Sequence, residues 1–191
     1  MISFSRFARL CVIRRPVWST RTGVGFTFIA NTYQSTGALT MSQSINVDKE
    51  ELRKRLTPLQ FHVTQEKGTE RPFSGCYNKL YEEGIYACLV CEQPLFSSDT
   101  KYDSSCGWPA FNDVLDQGKV KLTPDTSGVG ANLLLLISQP GRIRTEVTCA
   151  QCGSHLGHVF NDGPPPTKKR FCINSASLNF IAKNSKAGDS K

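Results

Sequence analysis

The sequence predicts a mainly β domain with a small helical front end, spanning residues 48–182. Three observations carry that reading. Short apolar-alternating segments recur between turn residues from Gly84 onward. Helical periodicity is confined to the stretch after Asp48. Two Cys-x-x-Cys pairs lie far apart in the chain, as ligands that tie two hairpins to one ion would.

The elements follow in order. In "DKEELRKRLTPLQFHV", Asp48 and Glu51 fit a capping box, and Leu52 and Leu56 share a face. Pro58 is expected to end this helix after about ten residues. A polar loop runs from Gly68 to Phe73. "GIYACLVC", "KVKLT", "RIRTEVTC", "GHVF" and "CINSASLNFIA" read as strands. "SGVGANLLLLISQPG", Ser127 to Gly141, reads either as a buried strand or as an inserted edge hairpin. Four exposed leucines would make an aggregation-prone edge, so they need cover. The last residues, 183–191, form a polar tail without core residues.

Charge narrows the function. The net charge is +7, but residues 1–47 hold five arginines and no acid. Without them 18 basic residues face 16 acidic ones, counted from 23 less five. The basic cluster left is Lys168-Lys169-Arg170, which argues against a nucleic-acid partner. No apolar run reaches the ~18–20 residues of a membrane span. The Arg- and Ser-rich, acid-free residues 1–47 have the composition of a mitochondrial transit peptide. A start at Met41 would instead leave a cytoplasmic or nuclear form.

Eight cysteines point to metal ligation or redox chemistry. Cys88 and Cys91, with Cys149 and Cys152, supply four thiolates, a closed tetrahedral set suited to one structural Zn²⁺. Two independent redox motifs would be the alternative, but neither pair opens a helix in a βαβ setting. Cys11 lies in the N-terminal segment. Cys76, Cys106 and Cys172 remain. A thiol with pKa ~8.5 is weakly ionised near neutrality. In an extended strand Arg170 shares a face with Cys172, and its charge would favour the thiolate. Cys172 would then alkylate before Cys76. Asn174 shares that face, its amide available to substrate or thiolate. His155 and His158 can converge if the chain turns at Gly157, with Asp162 nearby. A His-x-x-His pair also suits a metal.

"RFCINSASL", "HLGHVFNDGP", "CGWPAF", the paired Cys-x-x-Cys and "RLTPLQFHVTQEKGTERPFSG" together resemble the B-type methionine-R-sulfoxide reductases. The resemblance covers nearly all of residues 48–182. It implies two antiparallel sheets, a β-tent, with one structural zinc. It implies that Cys172 attacks the sulfur of an oxidised methionine, with His155 and His158 as acids. Asp162 and Arg170 would set their polar environment. Trp108 would wall the substrate methyl, with Phe111 in support. Cys106 matches the resolving position, with Cys76 as the other candidate. Thioredoxin would reopen the disulfide, oxidised proteins would be the substrates, and the chain would act as a monomer. The sequence departs from the family pattern at Ala110, Phe171 and Lys168, and by the insertion at Ser127 to Gly141. The competing class is a non-catalytic zinc β-tent that binds a partner and needs neither Cys172 nor the histidines.

Overall fold

The computed structural model describes residue 45 and residues 47–127 and 143–183. The N-terminal segment up to residue 44, with Cys11 and the transit-peptide reading, lies outside the described residues. So do the tail from residue 184 and all of the Ser127–Gly141 stretch except Ser127.

The front end holds two helices where the sequence suggested one. Helix α1 spans Lys49–Arg55 and starts at Asp48, whose carboxylate accepts from Glu50 N–H. Helix α2 spans Pro58–Gln65. The capping box sits here: Thr57 Oγ1 accepts from Gln60 N–H and Gln60 Oε1 from Thr57 N–H. Such a cap contributes about 1 kcal/mol. Pro58 thus ends α1 and opens α2, because an N1 proline has no intrahelical N–H to lose. Leu52, Phe61 and Val63 are the apolar residues these helices bury.

Among the described residues the strands are β1 (Gly84–Cys88), β2 (Pro94–Ser97), β3 (Lys101–Tyr102), β4 (Ala110–Phe111), β5 (Val120–Asp125), β6 (Arg144–Cys149), β7 (His155–Phe160), β8 (Arg170–Ile173) and β9 (Leu178–Ala182). They form two antiparallel sheets, ordered β2-β1-β9 and β3-β4-β8-β7-β6-β5. The two-sheet expectation holds. The core lies between them, and Phe96 of β2 stacks on Phe111 of β4 at 4.4 Å between centroids. Tyr86 meets Phe111 edge-on at 5.1 Å.

"CINSASLNFIA" is not one strand. β8 ends at Ile173, a 3₁₀ turn covers Ser175–Ser177, and β9 begins at Leu178 in the other sheet. Strand propensity loses here because Ser175 N–H and Ala176 N–H donate to the Glu70 carboxylate rather than to a neighbouring strand. The chain therefore crosses between sheets two residues after Cys172.

Candidate active site

Cys172 lies in mid-sheet, opposite Ala110 of β4 and His158 of β7. β7 and β8 approach closely because residue 157 is glycine. A Cβ there would run into the Cys172 carbonyl. Cys106 comes from the turn between β3 and β4, and its Sγ sits 3.5 Å from Cys172 Sγ. That turn needs left-handed backbone at Ser105 (φ 56°) and Gly107 (φ 91°). Cys76 is exposed.

The electrostatics correct the expectation of an anionic Cys172. Burial pushes its thiol up to about 12, with the charge and hydrogen bond of Cys106 acting in the same direction. Arg170 opposes this and is outweighed. Cys106 moves the other way. Burial would raise it, but the Ser104 hydroxyl, which donates to its sulfur at 2.9 Å, the Trp108 backbone, the Cys172 thiol and Arg170 together bring it below the ordinary thiol value. The two sulfurs titrate as a pair, in which burial opposes the anion more at Cys172 than at Cys106.

Arg170 is held by its own partners. Its Nε and Nη2 donate to the two Asp162 carboxylate oxygens at 2.8 Å each, and its guanidinium lies 4.4 Å from the Phe160 ring centroid. Asp162 is exposed and pairs with Arg170, not with a histidine. The carboxylates that partner the imidazoles are two the sequence reading missed. His155 Nδ1 meets Glu146 Oε1 and His158 Nε2 meets Asp125 Oδ2, both at 2.8 Å.

The two rings lie 5.4 Å apart. Three positions of separation should put them on opposite faces of a strand. A β-bulge resolves this: Val147 pairs with Gly157 and Thr148 with His155, leaving Leu156 as an extra residue. The chain therefore bulges at Leu156 rather than turning at Gly157. The Leu156 carbonyl accepts from Asn174 N–H, Asn174 Nδ2 and Ser177 Oγ.

The roles expected for the rings also change. Burial lowers the His155 pKa more than Glu146 raises it. Burial would raise Glu146, but Lys67 and His155 hold it below the usual range. An ionised carboxylate can only accept, so His155 is neutral with its proton on Nδ1. Its Nε2 is buried with no hydrogen-bond partner. In this state His155 can take a proton and not give one. Asp125 is also ionised: burial raises it, but Ser127, His158 and Arg144 win. His158 therefore donates through Nε2–H.

Asn174 does not offer its amide to substrate or thiolate. Its Oδ1 accepts from Glu70 N–H and its Nδ2 donates to the Leu156 carbonyl. Phe111 is a core residue, fully buried under Phe96 and Tyr86, and cannot line a substrate wall. Trp108 is half-buried, its Nε1 donating to the Glu70 carbonyl at 3.1 Å.

Glu70 is the residue that sequence reasoning passed over. It is 3% exposed and makes four bonds. Its carbonyl holds Trp108 and its N–H holds Asn174. Its carboxylate accepts from Ser175 N–H at 2.7 Å and Ala176 N–H at 3.0 Å. Burial raises its pKa more than these bonds lower it. A polar loop between Gly68 and Phe73 signalled solvent, and nothing local marked its one acid as buried.

At the end of β1 and the end of β6, Cys88, Cys91, Cys149 and Cys152 bring their sulfurs within 4.8 Å of one another. Cys88–Cys152 and Cys91–Cys149 are each 3.6 Å apart. Four sulfurs ~2.3 Å from one ion stand about 3.8 Å apart in a tetrahedron, so the cage fits a tetrahedral metal. Each knuckle closes on a left-handed residue, Glu92 or Gly153. The cluster joins one end of the two sheets.

A family model described as the SelR domain matches residues 56–182. The chain is 69% identical over 140 residues to "Methionine-R-sulfoxide reductase B1" of Drosophila melanogaster, covering 73% of this chain and 67% of that protein. It is 54% identical over 137 residues to "Methionine-R-sulfoxide reductase B3, mitochondrial" of Mus musculus, covering 72% of this chain but only 49% of the mouse protein. It is 53% identical over 140 residues to "Peptide methionine sulfoxide reductase MsrB" of Methanosarcina barkeri, covering 72% and 89%. With the sulfur pair, the paired imidazoles and the four-cysteine cage on one scaffold, the chain belongs to the SelR-domain family, that of the B-type methionine-R-sulfoxide reductases.

Proposed function

We propose that the domain over residues 48–182 reduces methionine-R-sulfoxide in oxidised proteins, with Cys172 as nucleophile and Cys106 as resolving thiol. The observation that carries this is the 3.5 Å Cys106–Cys172 contact beside Trp108 and the two imidazoles. In the first step the Cys172 sulfur attacks the sulfoxide sulfur. The S–H bond and the S=O bond are exchanged for a Cys172 sulfenic acid and a methionine thioether, and the thiol proton ends on oxygen. His155, with its free Nε2, takes up and relays that proton; His158, once doubly protonated, is the donor to the oxygen.

In the second step Cys106, the sulfur whose anion burial opposes less, attacks the sulfenic acid. A disulfide forms and hydroxide leaves as water after gaining a proton. The sulfurs must close from 3.5 Å to ~2.05 Å, which a side-chain rotation supplies. A dithiol donor such as thioredoxin then reduces the disulfide, and Cys76 stands as the other resolving candidate. Free methionine sulfoxide is a secondary substrate. Trp108, fixed through its indole N–H, walls the substrate methyl. The four-cysteine cage holds Zn²⁺, which as a closed site supplies folding stability and no open position for chemistry. Residues 1–47 direct the full chain to mitochondria, while a start at Met41 gives a cytoplasmic or nuclear form, and the protein acts as a monomer. The segment from Ser127 to Gly141 is an insertion in the family pattern.

The test is turnover of separate R and S epimers with dithiothreitol, for wild type and Cys172→Ser. Turnover of the R epimer alone, abolished in the variant, is expected. Turnover of the S epimer alone, or an unaffected variant, defeats the proposal.

A further inference from the structure

The arch from Glu70 to Gly75 carries a side chain that the chemistry above does not use. Phe73 is 66% exposed, and its backbone is left-handed with φ 62°. A bulky residue avoids that conformation, and an apolar ring gains nothing from water. Two unfavourable features coincide at one position, and such a residue persists only where its surroundings over-determine it.

Here they do. Phe73 N–H donates to the Gly107 carbonyl at 2.7 Å. A Cβ on Gly107 would come 2.7 Å from Pro72 Cβ and 3.1 Å from the Phe73 ring. The arch is thus interlocked with the Cys106-Gly107-Trp108 turn. Its other end is fixed by the buried bonds of Glu70. The ring of Phe73 is held out to solvent over the backbone that joins the resolving sulfur to the indole. Arg71, Pro72 and Ser74 beside it are exposed as well, so the rim is open to a ligand.

A free amino acid reaching the sulfur pair has nothing to lay on this rim. A polypeptide does, because its neighbouring residues follow at ~3.3–3.6 Å each along an extended chain. We infer that Phe73 selects polypeptide over free substrate by receiving an apolar side chain next to the oxidised methionine. This rests on the reductase reading above and adds to it the sequence context of the substrate.

The experiment compares wild type, Phe73→Ala and Phe73→Leu with dithiothreitol as reductant. Three R-sulfoxide substrates are used: the free amino acid, a peptide with glycine neighbours and a peptide with leucine neighbours. Wild type should prefer the leucine peptide. Phe73→Ala should lose about tenfold in kcat/KM on that peptide, mostly through KM, and be unchanged on the other two. Phe73→Leu should recover most of the loss. An equal loss on all three substrates, or no loss on the leucine peptide, overturns the inference while leaving the reductase intact. No turnover of any substrate by wild type overturns the reductase reading itself, and the inference with it. Unchanged thermal unfolding of both variants checks that the exposed ring is not a folding element.

Discussion

Removing the Glu70 carboxylate should loosen the substrate side of the site without touching a sulfur. The carboxylate holds Ser175 N–H and Ala176 N–H at 2.7 and 3.0 Å, in a setting 3% exposed. Glu70→Ala leaves both donors without a partner. Each unsatisfied buried donor costs about 1–3 kcal/mol, so the variant should lose ~2–6 kcal/mol. Glu70→Gln keeps one acceptor but turns an NH₂ toward the other N–H, for an expected loss of ~2–3 kcal/mol. The turn held here lies between Cys172 and β9, and the same residue's carbonyl holds the Trp108 indole. Stability and activity should therefore fall together, with KM rising as the indole loses its anchor.

Urea unfolding gives the first quantity, and initial rates on the R epimer give the second. Trp108 fluorescence in a Trp18→Phe background reports the indole directly, since the sequence has two tryptophans. A red-shifted, substrate-insensitive emission is expected. Burial raises the Glu70 pKa, so its ionised form is disfavoured in the fold. The folded state then binds the proton more tightly than the unfolded one. Its contribution is full below the ordinary carboxyl value of 4.5 and declines as pH rises through the raised folded value. Glu70→Gln should remove that decline. If Glu70→Ala unfolds within ~0.5 kcal/mol of wild type, the range of a neutral surface change, and keeps its KM, the clamp is energetically idle and the reasoning fails.

Two further outcomes follow from the sulfur chemistry. With the Cys172 thiol pushed up to about 12 and Cys106 lowered, iodoacetamide should modify Cys106 before Cys172 in the reduced protein at neutral pH. Cys106→Ser should speed Cys172 alkylation; peptide mass spectrometry reads both, and Cys172 reacting first in wild type contradicts that order. Removing the cage metal with a mercurial should release one zinc per chain and abolish cooperative unfolding, because the four-cysteine cluster joins two sheets. Release of iron, or no metal at all, would correct the cage's occupant.

How much of this the sequence revealed depends on how local each signal is. The two Cys-x-x-Cys pairs are short-range patterns whose geometry is set within four residues, and their convergence follows from the chemistry of sulfur and metal. Alternation located β1, β5, β6 and β7, whereas β2, β3 and β4, only two to four residues long, are too short to show a period. Long-range partners were not legible. Asp125 and Glu146 stand 33 and 9 positions from the histidines they bind, and Glu70 lies 105 from Ser175. Arg170 lies beside Cys172 as the two-residue spacing suggested, but its pairing with Asp162 and the burial of the sulfur decide the charge. Phe111 lies in a motif that resembles the family's substrate wall, yet it stacks on Phe96 because the two sheets meet there. The break after Ile173 escaped notice because a serine-rich run with apolar ends can extend or turn. The choice was made by an acid a hundred residues away.

The extra residue at Leu156 does more through its backbone than through its side chain. Exchanging Leu156 for another apolar side chain trims or crowds the interior by degrees. Deleting it leaves the histidines two positions apart, so strict alternation still keeps both rings on one face, but it removes the carbonyl that accepts from Asn174 and Ser177. The backbone at this one position, more than the side chain that fills it, therefore ties the strand of the imidazoles to the crossover that follows Cys172.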